Sequence, residues 1–134
     1  MEEFMYRVIE LYGDCEPWWF LDNWQEDIVD SWKFEDYYQA LKNYKQKWLE
    51  LNERFPSYKS RSDLMTAFWD PKEQEWCEEC SEHVQLFHSI VLLEDGHKIP
   101  KSKLRPGYEK EKGSKKHRSC QYTLSAKQAP KNLL

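Results

Sequence analysis

Two cysteines three positions apart, in Cys77-Glu78-Glu79-Cys80, are the residues whose type and spacing point most directly at chemistry. Two thiolates at this spacing can take one face of a zinc ion, and a closed tetrahedral site needs two further ligands. His83 and His88 lie in the same stretch, and folding can bring in Cys15. His83 is the sterically more awkward of the two, so the candidate metal set is Cys77, Cys80 and His88. The spacing matches no common zinc-finger pattern, and a second Cys-x-x-Cys is absent. The pair can also be read as a thiol redox motif, which ordinarily sits at a helix start with a lowered pKa. Here Glu75, Glu78, Glu79 and Glu82 crowd the thiols with negative charge, which suppresses thiolate. The plainer reading is two small packed cysteines at a turn, with no cofactor.

Three further sets of residues carry other chemistry. Trp18, Trp19 and Trp24, with Phe20 and Trp32 nearby, are candidate anchors for a protein partner, since exposed tryptophan beside polar groups makes good contact sites. Most of these rings are equally suited to a core. Asp14, Glu16, Asp22, Glu26, Asp27 and Asp30 form an acidic run. Paired carboxylates can do acid–base or metal chemistry if they converge; a solvated acidic face is the simpler expectation. Near the C-terminus, Lys110, Lys112, Lys115, Lys116 and Arg118, with Tyr108 and Tyr122, look like a nonspecific nucleic-acid arm. Such an arm gains affinity by counterion release and weakens steeply with salt.

The charge along the chain is divided. Residues 1–96 hold 22 acidic against 9 basic side chains, whereas residues 97–134 hold 2 against 11. The change falls at Asp95-Gly96, a turn signal. The expected organisation is therefore an acidic, aromatic-rich domain over 1–96 and a basic tail over 97–134. The tail is rich in Lys, Pro and Gly and lacks apolar periodicity, so it is expected to be disordered, with residues 97–104 able to lie against the domain.

Residues 4–12 alternate like a strand, and Trp18–Leu21 reads as a short second strand that can pair with it. Phe34, Tyr37, Tyr38, Leu41, Tyr44, Trp48, Leu51 and Phe55 recur at three- and four-residue steps, predicting an amphipathic helix ended by Pro56. Residues 57–63 read as polar loop, 64–69 as extended, and His83–Leu93 as a strong strand whose last residues are apolar on both faces, as in a central strand. The expected fold class is α+β: one long amphipathic helix packed on a small, mostly antiparallel sheet. No stretch of about 18 apolar residues is present, and the acidic start Met1-Glu2-Glu3 is unlike a secretory signal. A cytoplasmic location with reduced thiols is expected.

The run from Tyr6 through Gly13-Asp14-Cys15-Glu16-Pro17-Trp18-Trp19-Phe20, the acidic Trp24-Gln25-Glu26-Asp27-Ile28, the aromatic helix, Ala67-Phe68-Trp69-Asp70, Glu75-Trp76-Cys77-Glu78-Glu79-Cys80 and Gln85-Leu86-Phe87-His88 together resemble a bacterial family catalogued as Domain of Unknown Function 1033. The resemblance covers about residues 5–95. It implies a cytoplasmic bacterial protein, in a family whose members are often encoded near genes for DNA uptake. It assigns no catalytic residues.

The functional expectation is a noncatalytic binding or regulatory protein. Its acidic, aromatic domain docks a protein partner and its basic tail contacts nucleic acid. A small zinc-stabilised module built on Cys77 and Cys80 is the first alternative. A carboxylate-based enzyme ranks last, because no nucleophile-elbow, zinc-protease or phosphate-loop pattern appears.

Overall fold

The computed structural model describes residues 4–19 and 24–113. In chain order the regular elements are β1 (Tyr6–Gly13), β2 (Ile28–Phe34), α1 (Tyr37–Arg54), β3 (Ser57–Arg61), β4 (Met65–Trp69), β5 (Gln74–Cys77), β6 (Glu82–Gln85), β7 (Phe87–Glu94), β8 (His97–Lys98) and β9 (Lys110–Lys112). The main sheet runs β2-β1-β7-β4-β3-β9, with β8 paired to β7, and β5 and β6 form a separate hairpin. All these pairings are antiparallel. The α+β expectation holds. No helix among the described residues is long and apolar enough to cross a membrane.

The sheet is buried on both faces because its central strands are apolar on both. In β7, Ile90 and Leu92 point to one face and Val91 and Leu93 to the other, and each is at most 1% exposed. α1 covers the first face. Its buried Tyr37, Ala40, Tyr44, Trp48 and Leu51 meet Tyr6, Val8, Tyr58, Phe68, Ile90 and Leu92. The second face presents Ile9, Leu11, Met65, Val91 and Leu93, and is covered by Trp18, Trp24 and Ile28. Asp36 caps the helix by accepting from the Gln39 N–H at 3.0 Å, which satisfies one of the donors a helix start leaves open. Phe34, expected within the helix, ends β2 instead.

A chain of polar groups threads the core beneath the helix. The Tyr44 hydroxyl lies 2.7 Å from Thr66 Oγ1, Thr66 Oγ1 lies 3.0 Å from Ser60 Oγ, and Trp48 Nε1 donates to Ser60 Oγ at 3.1 Å. Burial holds the Tyr44 phenol far above its ordinary pKa, so it is neutral at any working pH. This chain explains why residues 57–63, read as polar loop, include a strand. Ser57 and Ser60 are fully buried, and the Ser60 hydroxyl finds its partners inside rather than in solvent.

Two other expectations differ from the structure. Trp18 and Trp19, expected in a second strand, are not in one, and Phe20 and Leu21 lie outside the described residues. Pro17–Trp19 forms a 3-10 turn, and the partner of β1 is β2, in register Val8 to Trp32. Pro17 fixes a backbone dihedral suited to starting such a turn, while β2 escapes sequence reading because it is an edge strand with Asp30, Ser31 and Lys33 among its residues. Order also does not stop at residue 96: residues 97–113 continue onto the domain and end in β9. Replacing Thr66 with Val would leave the Tyr44 and Ser60 hydroxyls short of a partner in a closed interior. Urea unfolding should then show a stability loss of about 1–3 kcal/mol with an unchanged slope.

Candidate functional site

Residues 97–113 form a strap along α1. Ile99 is buried, and Tyr108 packs edge-on against Tyr44 and Trp48. Lys103 pairs with Glu94 and donates to the Tyr6 hydroxyl at 2.6 Å. The Tyr37 hydroxyl donates to the Lys103 carbonyl at 2.8 Å, and Arg105 Nε donates back to that hydroxyl at 3.2 Å. The Ser62 N–H donates to Glu109 at 3.1 Å, and that bond lowers the Glu109 carboxyl pKa. The strap then adds β9 to the edge of the sheet, with Ser60 opposite Lys110 and Tyr58 opposite Lys112. The Lys110 ammonium lies 4.8 Å from the Trp48 ring centre. Of the expected nucleic-acid residues, Lys110 and Lys112 therefore stand exposed on an ordered edge strand. Lys115, Lys116 and Arg118 lie outside the described residues.

The three candidate anchor tryptophans separate. Trp18 and Trp24 are half-buried plugs over the second sheet face. Lys59 and Arg61 sit over the Trp18 ring, at 5.8 and 5.2 Å. Trp19 is 45% exposed. Trp76, which sequence reading passed over, is 49% exposed on β5 and stands edge-on to His83 across the hairpin. Its signal was a lone large ring among acidic residues, where no core pattern accounts for it.

The β5–β6 hairpin carries the cysteines at its tip. The buried Gln85 side chain anchors its base by donating to the Asp70 and Glu73 carbonyls at 2.8 and 2.9 Å. Cys77 and Cys80 are joined as a disulfide, with Cα atoms 5.5 Å apart. Cys15 is also in disulfide form. This corrects the expectation of reduced thiols for the described cysteines. The Cys80 N–H points at Cys77 Sγ, 3.3 Å away, and Ser81 takes a left-handed φ of 53° to close the turn.

His88 is not brought to the cysteine pair. Its Nε2 lies 3.0 Å from Glu73 Oε1, and its ring is held by Phe55 at 4.4 Å and Tyr12 at 4.6 Å. The Tyr12 hydroxyl donates to the other oxygen of Glu73 at 3.1 Å, and burial followed by that bond raises the Tyr12 pKa. One carboxylate thus ties β1, β7 and the foot of the hairpin together. Among the described residues no three His, Cys, Asp or Glu side chains are grouped to hold a metal ion.

The acidic run does not gather into one site. Glu16 is buried, Glu26 is exposed, and Asp30 accepts from the Ser31 N–H on β2. Asp22 lies outside the described residues. Asp27 packs against Gly13, where a Cβ would come within 2.7 Å of its Oδ2, and Asp14 is near enough for its charge to act on Asp27. Burial raises both carboxyl pKa values. Glu75 adds to the rise at Asp14, and Asp14 then Glu26 add to it at Asp27.

A family model described as a protein of unknown function (DUF1033) matches residues 5–122. The match reaches beyond the expected limit near residue 95 and takes in the strap and residues 114–122. No curated protein and no solved structure matches.

The raised carboxyls fix a sign for pH. Below the ordinary value of 3.8 both folded and unfolded chains hold the protons. As pH rises through the raised folded values, the folded state pays to ionise and stability falls. Asp14→Asn or Asp27→Asn should therefore melt at a higher temperature than the wild type at pH 7. The gain should close as pH falls toward 3.8, as thermal scans across that range would read.

Proposed function

The chain belongs to the DUF1033 family, and from that premise we propose that it is a noncatalytic binding protein whose strap and tail contact a polyanion, nucleic acid by preference. The observation that carries this reading is the segregation of charge onto an anchored arm. Residues 114–134 contain five Lys and Arg and no Asp or Glu. The strap fixes their point of departure through β9, where Lys110 and Lys112 are exposed. Each phosphate that such a cationic segment neutralises releases counterions, which favours binding.

The rest of the molecule shapes the contact. Lys59, Arg61 and Leu104 line an open depression beside β9, but Asp63 and Glu109 share it. The folded part therefore guides a polyanion weakly, and the tail supplies most of the attraction. The DNA-uptake setting implied by the family resemblance would provide such a polymer. Protein docking is assigned to Trp19, the most exposed of the three anchor candidates.

The test is a salt series of oligonucleotide binding by the full chain, read by fluorescence anisotropy. Affinity should fall steeply with salt, and K115E/K116E/R118E should flatten the slope by about 2–3 in log–log terms. K110E/K112E should have a smaller effect of the same kind. Salt-independent binding, or a slope unmoved by the triple variant, would remove the tail from the reading.

A further inference from the structure

We infer that the flank of α1 facing the strap binds single-stranded nucleic acid, with Tyr38 as its base-stacking platform and Lys42, Lys45, Lys110 and Lys112 as its phosphate contacts. The inference rests on the polyanion reading and names the polyanion that the folded part selects. The strap runs alongside α1 in the same direction. Arg105 lies 5.7 Å from the Tyr38 ring centre, Tyr108 packs on Tyr44 and Trp48, and Lys110 lies over Trp48. From Tyr38 to Trp48 the helix rises about 15 Å, which matches roughly four nucleotides of a stacked strand.

Helix periodicity decides which α1 side chains join the strap. Leu41, Lys42, Lys45 and Leu49 follow Tyr38 at three-, four-, seven- and eleven-residue steps, so they share its flank. Lys42 and Lys45 are both exposed there. Lys47, lying over Trp32 at 4.6 Å, marks the opposite flank, and Glu50 pairs with it on that side. Acidic groups bound the surface at its two ends, Glu35 and Asp36 before Tyr38 and Glu53 beyond Leu49. The strap sorts its own charges in the same way. Lys110 pairs with Ser60 and Lys112 with Tyr58, so both stand on the helix side of the sheet, whereas Glu111 pairs with Lys59 and points to the other side. Glu109 is held by the Ser62 N–H.

The exposed ring separates a single strand from a duplex. Tyr38 is 67% exposed. Its edge-on contact with Tyr37 at 5.3 Å and the Arg105 guanidinium beside it hold the ring in place while most of its surface stays in solvent. A base stacked on such a ring gains affinity whatever its identity, because every base has a π-face. A duplex keeps its base faces within its own stack and gains phosphate contacts alone. Glu35 and Asp36 repel phosphate beside Tyr38, which favours a base there and leaves the backbone to the lysines further along. The tail then supplies attraction for either form, and the flank supplies the preference for a single strand.

The experiment compares an oligothymidine of about 12 nucleotides with a duplex of equal length, both bound to the full chain and read by fluorescence anisotropy. The single strand should bind more tightly. Tyr38→Ala should weaken single-strand binding about tenfold and leave duplex binding unchanged, and Tyr38→Phe should restore it. K42E/K45E should lower the salt slope of single-strand binding by about 1–2 in log–log terms. Irradiation of the wild-type complex with a 5-iodouracil oligonucleotide should crosslink Tyr38, a readout that needs no variant to fold. Binding of no oligonucleotide would remove the polyanion reading and this inference together. Single-strand binding whose slope K115E/K116E/R118E flattens, but which Tyr38→Ala leaves unchanged, would overturn this inference alone. So would equal affinity for the duplex, a crosslink that misses α1 and the strap, or competition by polyglutamate as effective as by oligothymidine, which would make the surface a site for an acidic protein.

Discussion

The structure depends on a sheet whose middle is apolar on both faces. β7 cannot be left open on either side, because Ile90 and Leu92 face one way and Val91 and Leu93 the other. Exposing either set would forfeit roughly 1.5–3 kcal/mol for each large side chain. One helix covers one face. The second cover comes from Trp18 and Trp24, each on a short 3-10 turn, which do with a few rings what a helix does with a whole stripe. This explains the aromatic content: when little chain is available to cover a surface, each covering residue must be large.

The same economy shapes the strap. Its residues are mostly polar, yet it stays on the domain through specific contacts rather than a continuous apolar stripe. Lys103 and Arg105 lie against the rings of Tyr6, Tyr37 and Tyr38, and Tyr108 fills the space beside Tyr44 and Trp48. Cations over rings and hydrogen bonds to phenols replace hydrophobic periodicity. β9 then leaves a charged edge, Lys-Glu-Lys, which discourages further strands from adding to the sheet. Positive charge is thereby placed along one edge, while the hairpin with Asp14 and Asp27 holds negative charge at one end of the sheet. Glu73 links that end to the core through Tyr12 and His88.

The sequence by itself determined the α+β class, the helix, the strands β1 and β7, and the charge division, because each is written in local periodicity or simple counting. Helix spacing put Tyr37, Ala40, Tyr44, Trp48 and Leu51 on one face whatever they packed against. Tertiary structure decided the rest. β3 reads as loop because Ser57 and Ser60 are polar, and for Ser60 only the arrival of Thr66, Tyr44 and Trp48 satisfies the buried hydroxyl. The strap reads as disordered because its anchors, Glu94, Tyr6 and Tyr37, lie elsewhere in the chain. Which tryptophan faces outward was undecidable locally, since Trp18 and Trp19 are neighbours of identical type. His88 and Cys77 sit close in sequence, yet the hairpin turns the cysteines away while Glu73 and Phe55 hold the imidazole. Local spacing names the residue types available for chemistry; their convergence is set by long-range strand pairing, which no single stretch of sequence encodes.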